Sequence, residues 1–226
     1  MKGSLVNFVA IVLGALLGTL LRLGIPEKIK DTVLQAMGLV VVFIGLKMAF
    51  VSKNTLVVVL ALAIGAVIGE LLDLQGRLDR FGEYLTASVG TRYGDVGRGF
   101  VVASLVFCIG AMAIVGSIEE GLRGDASILY AKSMIDGVCS VVFAASMGIG
   151  VMLSAVPVLL YQGGMTLAAG SLETLINEAM LAEISGTGGL LILGIGLNML
   201  NLTQIRLANL IPALLVAAVL AGMNIL

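Results

Sequence analysis

Histidine and tryptophan are absent from this sequence, and prolines, cysteines and charges are few. The lack of histidine removes the usual metal ligand and the usual general base near neutral pH. No nucleophile–base motif makes up for it, so neither a metal site, nor a cofactor, nor an enzyme activity is expected. The two cysteines, Cys108 and Cys139, each lie in an apolar stretch and read as small buried hydrophobes rather than as a disulfide. Three prolines are too few for a flexible array. Charged residues make up only 12% of the 226, against about 25% in a soluble domain, whose surface must be solvated. A net charge of −1 leaves no basic footprint for nucleic acid.

What fills the chain instead is apolar: 59% hydrophobic residues and a mean hydropathy of +1.14. Thirty glycines point the same way, because small residues let membrane helices approach closely. The expected fold is all-α, a polytopic transmembrane helical bundle whose principal partner is the lipid bilayer, with residues 1–226 forming one membrane domain. A span needs about 20 mainly apolar residues. Runs of that kind predict spans at 3–23, 37–52, 54–72, 98–117, 186–202 and 205–225. The first is too long, and lacks the small-residue cleavage pattern, to read as a signal peptide. A further apolar stretch at 134–171 holds either two spans broken at Pro157 or one span and a re-entrant half-helix, giving seven or eight spans, with eight favoured.

Three connecting pieces are amphipathic and read as short interfacial helices: 26–36, 73–90 and 172–183. In 73–90, Leu74, Leu78, Phe81 and Leu85 share one face, opposite Asp73, Arg77, Arg80 and Glu83. Orientation follows from basic residues in short loops. One side carries Arg22, Lys28, Lys30, Arg77, Arg80, Arg92 and Arg98, the other Lys2, Lys53, Arg123 and Lys132, which puts the N-terminus outside.

Residues 38–48, GLVVVFIGLKM, return 151 positions later as GLLILGIGLNM at 189–199, with six of eleven identities. Each copy follows an amphipathic piece and precedes a tight turn and one more helix. The chain therefore reads as a first repeat at 3–72, a middle of interfacial helix, fourth span and charged loop at 73–133, and remaining spans at 134–226 that include a second repeat at about 151–225. The repeat is inverted if 134–171 crosses twice and parallel if it crosses once.

A charge inside a bilayer is costly, so polar residues in spans are functional candidates. Lys47 and Glu70 sit near span ends and read as interfacial. Lys132, Asp136 and Ser140 are spaced four apart on one face, with Ser133 beside them. The plain reading is an acidic first turn complementing the helix dipole. The sharper one is an Asp136 that lines a cavity and binds a cation or proton. Gln162, Gly163 and Gly164 just past Pro157, and Asn209 with Pro212, look like interrupted helices whose free backbone groups face protein or a water-filled cavity. The loop 117–133, with Glu119, Glu120, Arg123 and Asp125, reads as a solvated turn or as an acidic mouth for cations.

The run FCIGAMAIVGSIEEGLRGDASILYAKSMIDG (107–137), followed by ASMGIGVMLSAVPVLLYQGG (145–164), GGLLILGIGLNM (188–199) and ANLIPALL (208–215), resembles the YqgA/YdfK-type bacterial membrane proteins, domain of unknown function 554. The resemblance runs end to end, from VNFVAIVLGALLG at 6–18. It implies a multi-pass protein of the bacterial inner membrane and supplies no activity. It draws attention to Glu119, Gly121, Gly124, Asp125, Lys132, Ser133, Asp136, Gln162, Asn209 and Pro212.

Three functions fit. A secondary transporter of a small solute or ion, driven by protons or sodium and binding at Asp136, is favoured. A channel would need a homo-oligomer around an axis. A scaffold or regulatory protein lacks a soluble domain through which to signal. The GxxxG pairs Gly14/Gly18 and Gly65/Gly69 pack either within one chain or between copies.

Overall fold

A computed structural model describes residues 1–22, 26–89, 95–172 and 176–223. Arg92 and Glu173, and the ends of the first and last expected spans, lie outside the described residues. The described chain is all-α: α1 (Lys2–Arg22), α2 (Glu27–Ala49), α3 (Thr55–Leu71), α4 (Leu74–Val89), α5 (Val96–Cys108), α6 (Ala111–Arg123), α7 (Ser127–Met147), α8 (Gly150–Leu153), α9 (Ala155–Leu167), α10 (Ala169–Leu172), α11 (Glu178–Met199), a 3-10 turn at Leu207–Leu210, and α12 (Pro212–Gly222). Five stretches are long and apolar enough to cross a membrane: α1, Lys28–Ala49 of α2, α7, Gly150–Leu167 and α11. Two bent pairs, α3 with α4 at 59° and α5 with α6 at 61°, raise that to seven if each counts as one span.

Several boundaries differ from the sequence expectation. The amphipathic piece at 26–36, and residues 178–183 of the one expected at 172–183, are the first turns of α2 and α11 rather than separate interfacial helices. The expected fourth span breaks at Ile109–Gly110, where Gly110 takes φ 153, a backbone region closed to residues with a Cβ. The expected loop at 117–133 is mostly helix, with only 124–126 between α6 and α7. The break in 134–171 falls at 148–154, just before Pro157, not within 162–164. Proline in a first turn leaves no hydrogen bond unmade, so Pro157 near the start of α9 and Pro212 at the start of α12 begin helices instead of interrupting them. Gly163 and Gly164 lie inside α9.

The chain divides into two compact units. The first comprises Met1–Met37, Arg80–Cys108 and Met112–Leu172. Its centre is the contact of α1 with α7. A Cβ built on Gly14 would lie 2.3 Å from the carbonyl oxygen of Gly137, and one on Gly18 would lie 2.1 Å from that of Val141. The two backbones thus touch through the glycines, and residue numbers rise together along the contact, so α1 and α7 run parallel. Arg22 at the end of α1 donates to the carbonyl of Ser146 at the end of α7, which fixes the same register. α9 packs on α1, and α4 meets α5 where Phe81 and Phe100 stand edge to face at 5.5 Å.

The second unit comprises Gly38–Asp79, Ile109–Ala111 and the described part of Glu173–Leu226. Gly38 faces Gly196 and Leu200, while Gly45 faces Gly189 and Leu193, so α2 and α11 run antiparallel. Gly65 faces Ala213 and Gly69 faces Asn209, so α3 and the last helix are antiparallel as well. Both GxxxG pairs of the sequence are therefore used inside the chain. Buried Glu183 on α11 closes the α2–α3 turn by accepting from the Ser52 hydroxyl at 2.6 Å and from the N–H groups of Lys53 and Asn54 at 2.8 and 3.0 Å.

Candidate functional site

In the first unit, buried polar side chains of α1, α7 and α9 meet in one hydrogen-bonded group. Asp136 lies nine residues into α7, well past the first turn, so it does not complement the helix dipole. Lys132, one turn earlier, forms a short ion pair with Asp136 Oδ2. These two side chains keep 9% and 7% of their surface exposed. The ammonium also stands 6.0 Å from the ring centre of Phe107, which stacks on Phe143. Ser133 and Ser140 are buried on the same face but point their hydroxyls back to the carbonyls of Leu129 and Asp136, the usual resting place for a helical serine.

Asn7 on α1 completes the group. Its amide nitrogen donates to Asp136 Oδ2 at 2.9 Å and to Gln162 Oε1 on α9 at 3.2 Å. A carboxylate only accepts, so the Asn7 atom facing Asp136 is its NH2, and both hydrogens are thereby committed. Asn7 Oδ1 and Gln162 Nε2 are left over. Both residues are completely buried, and neither atom has a hydrogen-bond partner among the described residues. A buried polar atom without a partner costs about 1–3 kcal/mol, so two side by side mark a place where the fold is not arranged for its own stability alone.

The remaining candidates are dispersed. Glu119 is part-exposed and pairs with Arg123 one turn on at 3.1 Å. Its neighbour Glu120 is the buried one: Oε1 accepts the Gly3 N–H at 2.8 Å and pairs with the Met1 amino group at 2.9 Å. Asp125 is exposed in the 124–126 turn. There the Ser127 hydroxyl first, and the Ser127 N–H second, hold its carboxyl below the ordinary value of 3.8. Gly163 is buried on α9, and Gly164 has open space beside it. Asn209 belongs to the second unit and is not part of the Asp136 group. Its side chain does not satisfy a carbonyl freed by Pro212. It donates to Glu70 and accepts the Gln75 N–H at 2.7 Å, clasping the α3–α4 bend, while Arg206 pairs with Glu70 at 2.8 Å.

Asn7 was the residue that sequence reasoning passed over. The signal was available, since Ser4 and Asn7 interrupt an otherwise apolar first span. Nothing in the sequence ties Glu183 to a turn 130 residues away.

No group of three or more acidic or cysteine side chains that could hold a metal ion is found among the described residues. Comparison with known proteins agrees with the end-to-end resemblance. Residues 2–222 match the family model described as protein of unknown function (DUF554). The uncharacterized membrane protein YdfK of Bacillus subtilis (strain 168) is 32% identical over 223 residues, covering 97% of this chain and 95% of that protein. The uncharacterized protein YqgA of Escherichia coli (strain K12) is 32% identical over 225 residues, covering 97% and 96%. No solved structure matches. The chain belongs to the DUF554 family.

Proposed function

We propose that this DUF554 protein is a multi-pass inner-membrane secondary transporter of a small solute or ion, with its site at Asp136. The observation that carries the reading is the buried Lys132–Asp136–Asn7–Gln162 group, with one acceptor and one donor uncommitted. On α7, nine residues at about 1.5 Å each put Asp136 some 14 Å from the helix start, near the middle of a hydrocarbon core about 30 Å thick. A charge pair at that depth is expensive to keep and marks solute or ion pathways. Leu13, Leu17 and Leu20 on the opposite face of α1 stand exposed, as lipid contact requires.

The repeat supports the same reading. Positions 38 and 45 correspond to 189 and 196, yet Gly38 faces Gly196 and Gly45 faces Gly189. Crosswise contact of equivalent residues is what a two-fold axis between two copies produces. With both α2/α11 and α3/α12 antiparallel, the axis lies in the membrane plane and the repeat is inverted, an arrangement typical of secondary transporters. The directions also bear on the count. Parallel α1 and α7 are separated by an even number of crossings and antiparallel α2 and α11 by an odd number. Eight spans satisfy both, with α5–α6 as one broken span and α7 and α8–α9 as two, and the basic residues of the short loops support an N-terminus outside.

The test uses proteoliposomes on a solid-supported electrode, challenged with small amino acids, small carboxylates and monovalent cations. Charge movement is expected with the wild type and not with the charge-balanced double variant Asp136→Asn/Lys132→Gln. Unchanged currents in that variant remove Asp136 from the pathway, and no response to any compound counts against transport.

A further inference from the structure

Resting on the transport reading of the Asp136 group, we infer that its substrate is a small zwitterion of the α-amino acid class rather than a bare cation. The argument begins with charge. The hydrogen-bonded chain of Lys132, Asp136, Asn7 and Gln162 holds one ammonium, Lys132, and one carboxylate, Asp136, and is electrically neutral. A sodium ion added to it would carry an uncompensated charge into a buried place, which apolar surroundings penalise heavily. A solute with its own ammonium and carboxylate leaves the balance at zero.

The hydrogen-bonding pattern fits the same solute. The two uncommitted groups are of opposite kind: Asn7 Oδ1 accepts, and Gln162 Nε2 donates. When the Lys132–Asp136 pair opens, the solute ammonium takes the place of Lys132 on Asp136 and donates a further N–H to Asn7 Oδ1. The solute carboxylate accepts from Lys132 and from Gln162 Nε2. Each pole then meets one opposite charge and one amide, and both leftover atoms gain partners. A cation alone uses neither the Gln162 donor nor Lys132, and an anion alone uses neither Asp136 nor the Asn7 acceptor.

Size follows from packing. Asn7 and Gln162 have no exposed surface. Less than two turns beyond Asn7, α1 and α7 touch backbone to backbone at Gly14 and Gly137, so the site cannot widen along that seam. Glycine- and alanine-sized solutes fit this limit better than branched or aromatic ones.

The deciding measurement is a thermal shift of the detergent-purified full chain with glycine, alanine, leucine, methylammonium, acetate or sodium chloride. Glycine or alanine is expected to raise the melting temperature in a saturable way, leucine less, and the single-pole compounds and sodium not at all. Gln162→Leu is expected to weaken glycine binding by about tenfold or more, the loss of one hydrogen bond to a charged group. A saturable shift with sodium or methylammonium and none with glycine overturns the zwitterion while leaving transport intact. No shift with any of the six in the folded wild type also overturns it, whether or not the proteoliposome currents persist.

Discussion

Lys132 and Asp136 hold each other's charge where little water reaches either. Removing one member of such a pair strands the other, at a cost of about 3–5 kcal/mol, whereas removing both costs much less. Asp136→Asn alone should therefore lower the unfolding temperature in detergent far more than Asp136→Asn/Lys132→Gln does. Equal losses would mean that the two charges are not coupled. The same logic explains what sequence reading could and could not find at this scale. Spacing of four put Lys132, Asp136 and Ser140 on one face, and they share it. It could not tell Glu119 from Glu120, because residues 117–123 were taken for loop. In a helix, adjacent residues point about 100° apart, so one faces outward to Arg123 while the other is buried against Gly3. Asn7 escaped because its partners lie 129 and 155 residues away.

Among the elements, α1 was the most legible, since an uninterrupted apolar run has few alternatives, and its ends fall within one residue of the expected 3–23 among the described residues. The break between α5 and α6 was hidden for the opposite reason. Hydropathy runs level through Ile109 and Gly110, and nothing in an apolar run announces that one glycine takes a positive φ. The α1–α7 seam yields a sharp expectation. Replacing Gly14 or Gly18 by leucine drives side-chain carbon into the carbonyls of Gly137 or Val141, and because backbone cannot yield as a side chain can, the helices must separate. Either change should abolish the monodisperse folded peak on gel filtration. Gly164→Ala serves as the control: it sits in α9 with nothing within 4 Å of the added carbon, and should stabilise by about 0.5–1 kcal/mol through helix propensity. A destabilised Gly164→Ala would point to an unrecognised neighbour on that face.

For the whole molecule, the proposed eight-span arrangement makes a prediction about sides. Residues 53, 125 and 203 lie in the turns after α2, α6 and α11, that is after two, four and seven crossings. Single cysteines at Lys53, Asp125 and Thr203, with Cys108 and Cys139 replaced by alanine, should react with an impermeant thiol reagent from the same side at 53 and 125 and from the opposite side at 203. Reaction of 53 together with 203, with 125 on the opposite side, would mean that α5 and α6 form a re-entrant pair rather than one broken span. Sequence offered the repeat but left its sense open, since eleven matched positions say nothing of direction. Which glycine faces which supports the inverted sense proposed above.

The parallel seam of α1 and α7 also bears on how the protein is made. Arg22 and Ser127 are separated by 105 residues, so at about 5–20 residues per second the ribosome releases α7 roughly 5–20 s after α1 is complete. During that interval Asn7 has neither Asp136 nor Gln162, and the glycine face of α1 has no backbone to rest against. The first helix is thus synthesised as half of a joint whose other half arrives much later, and its glycine and asparagine face waits without its partner until α7 comes to meet it.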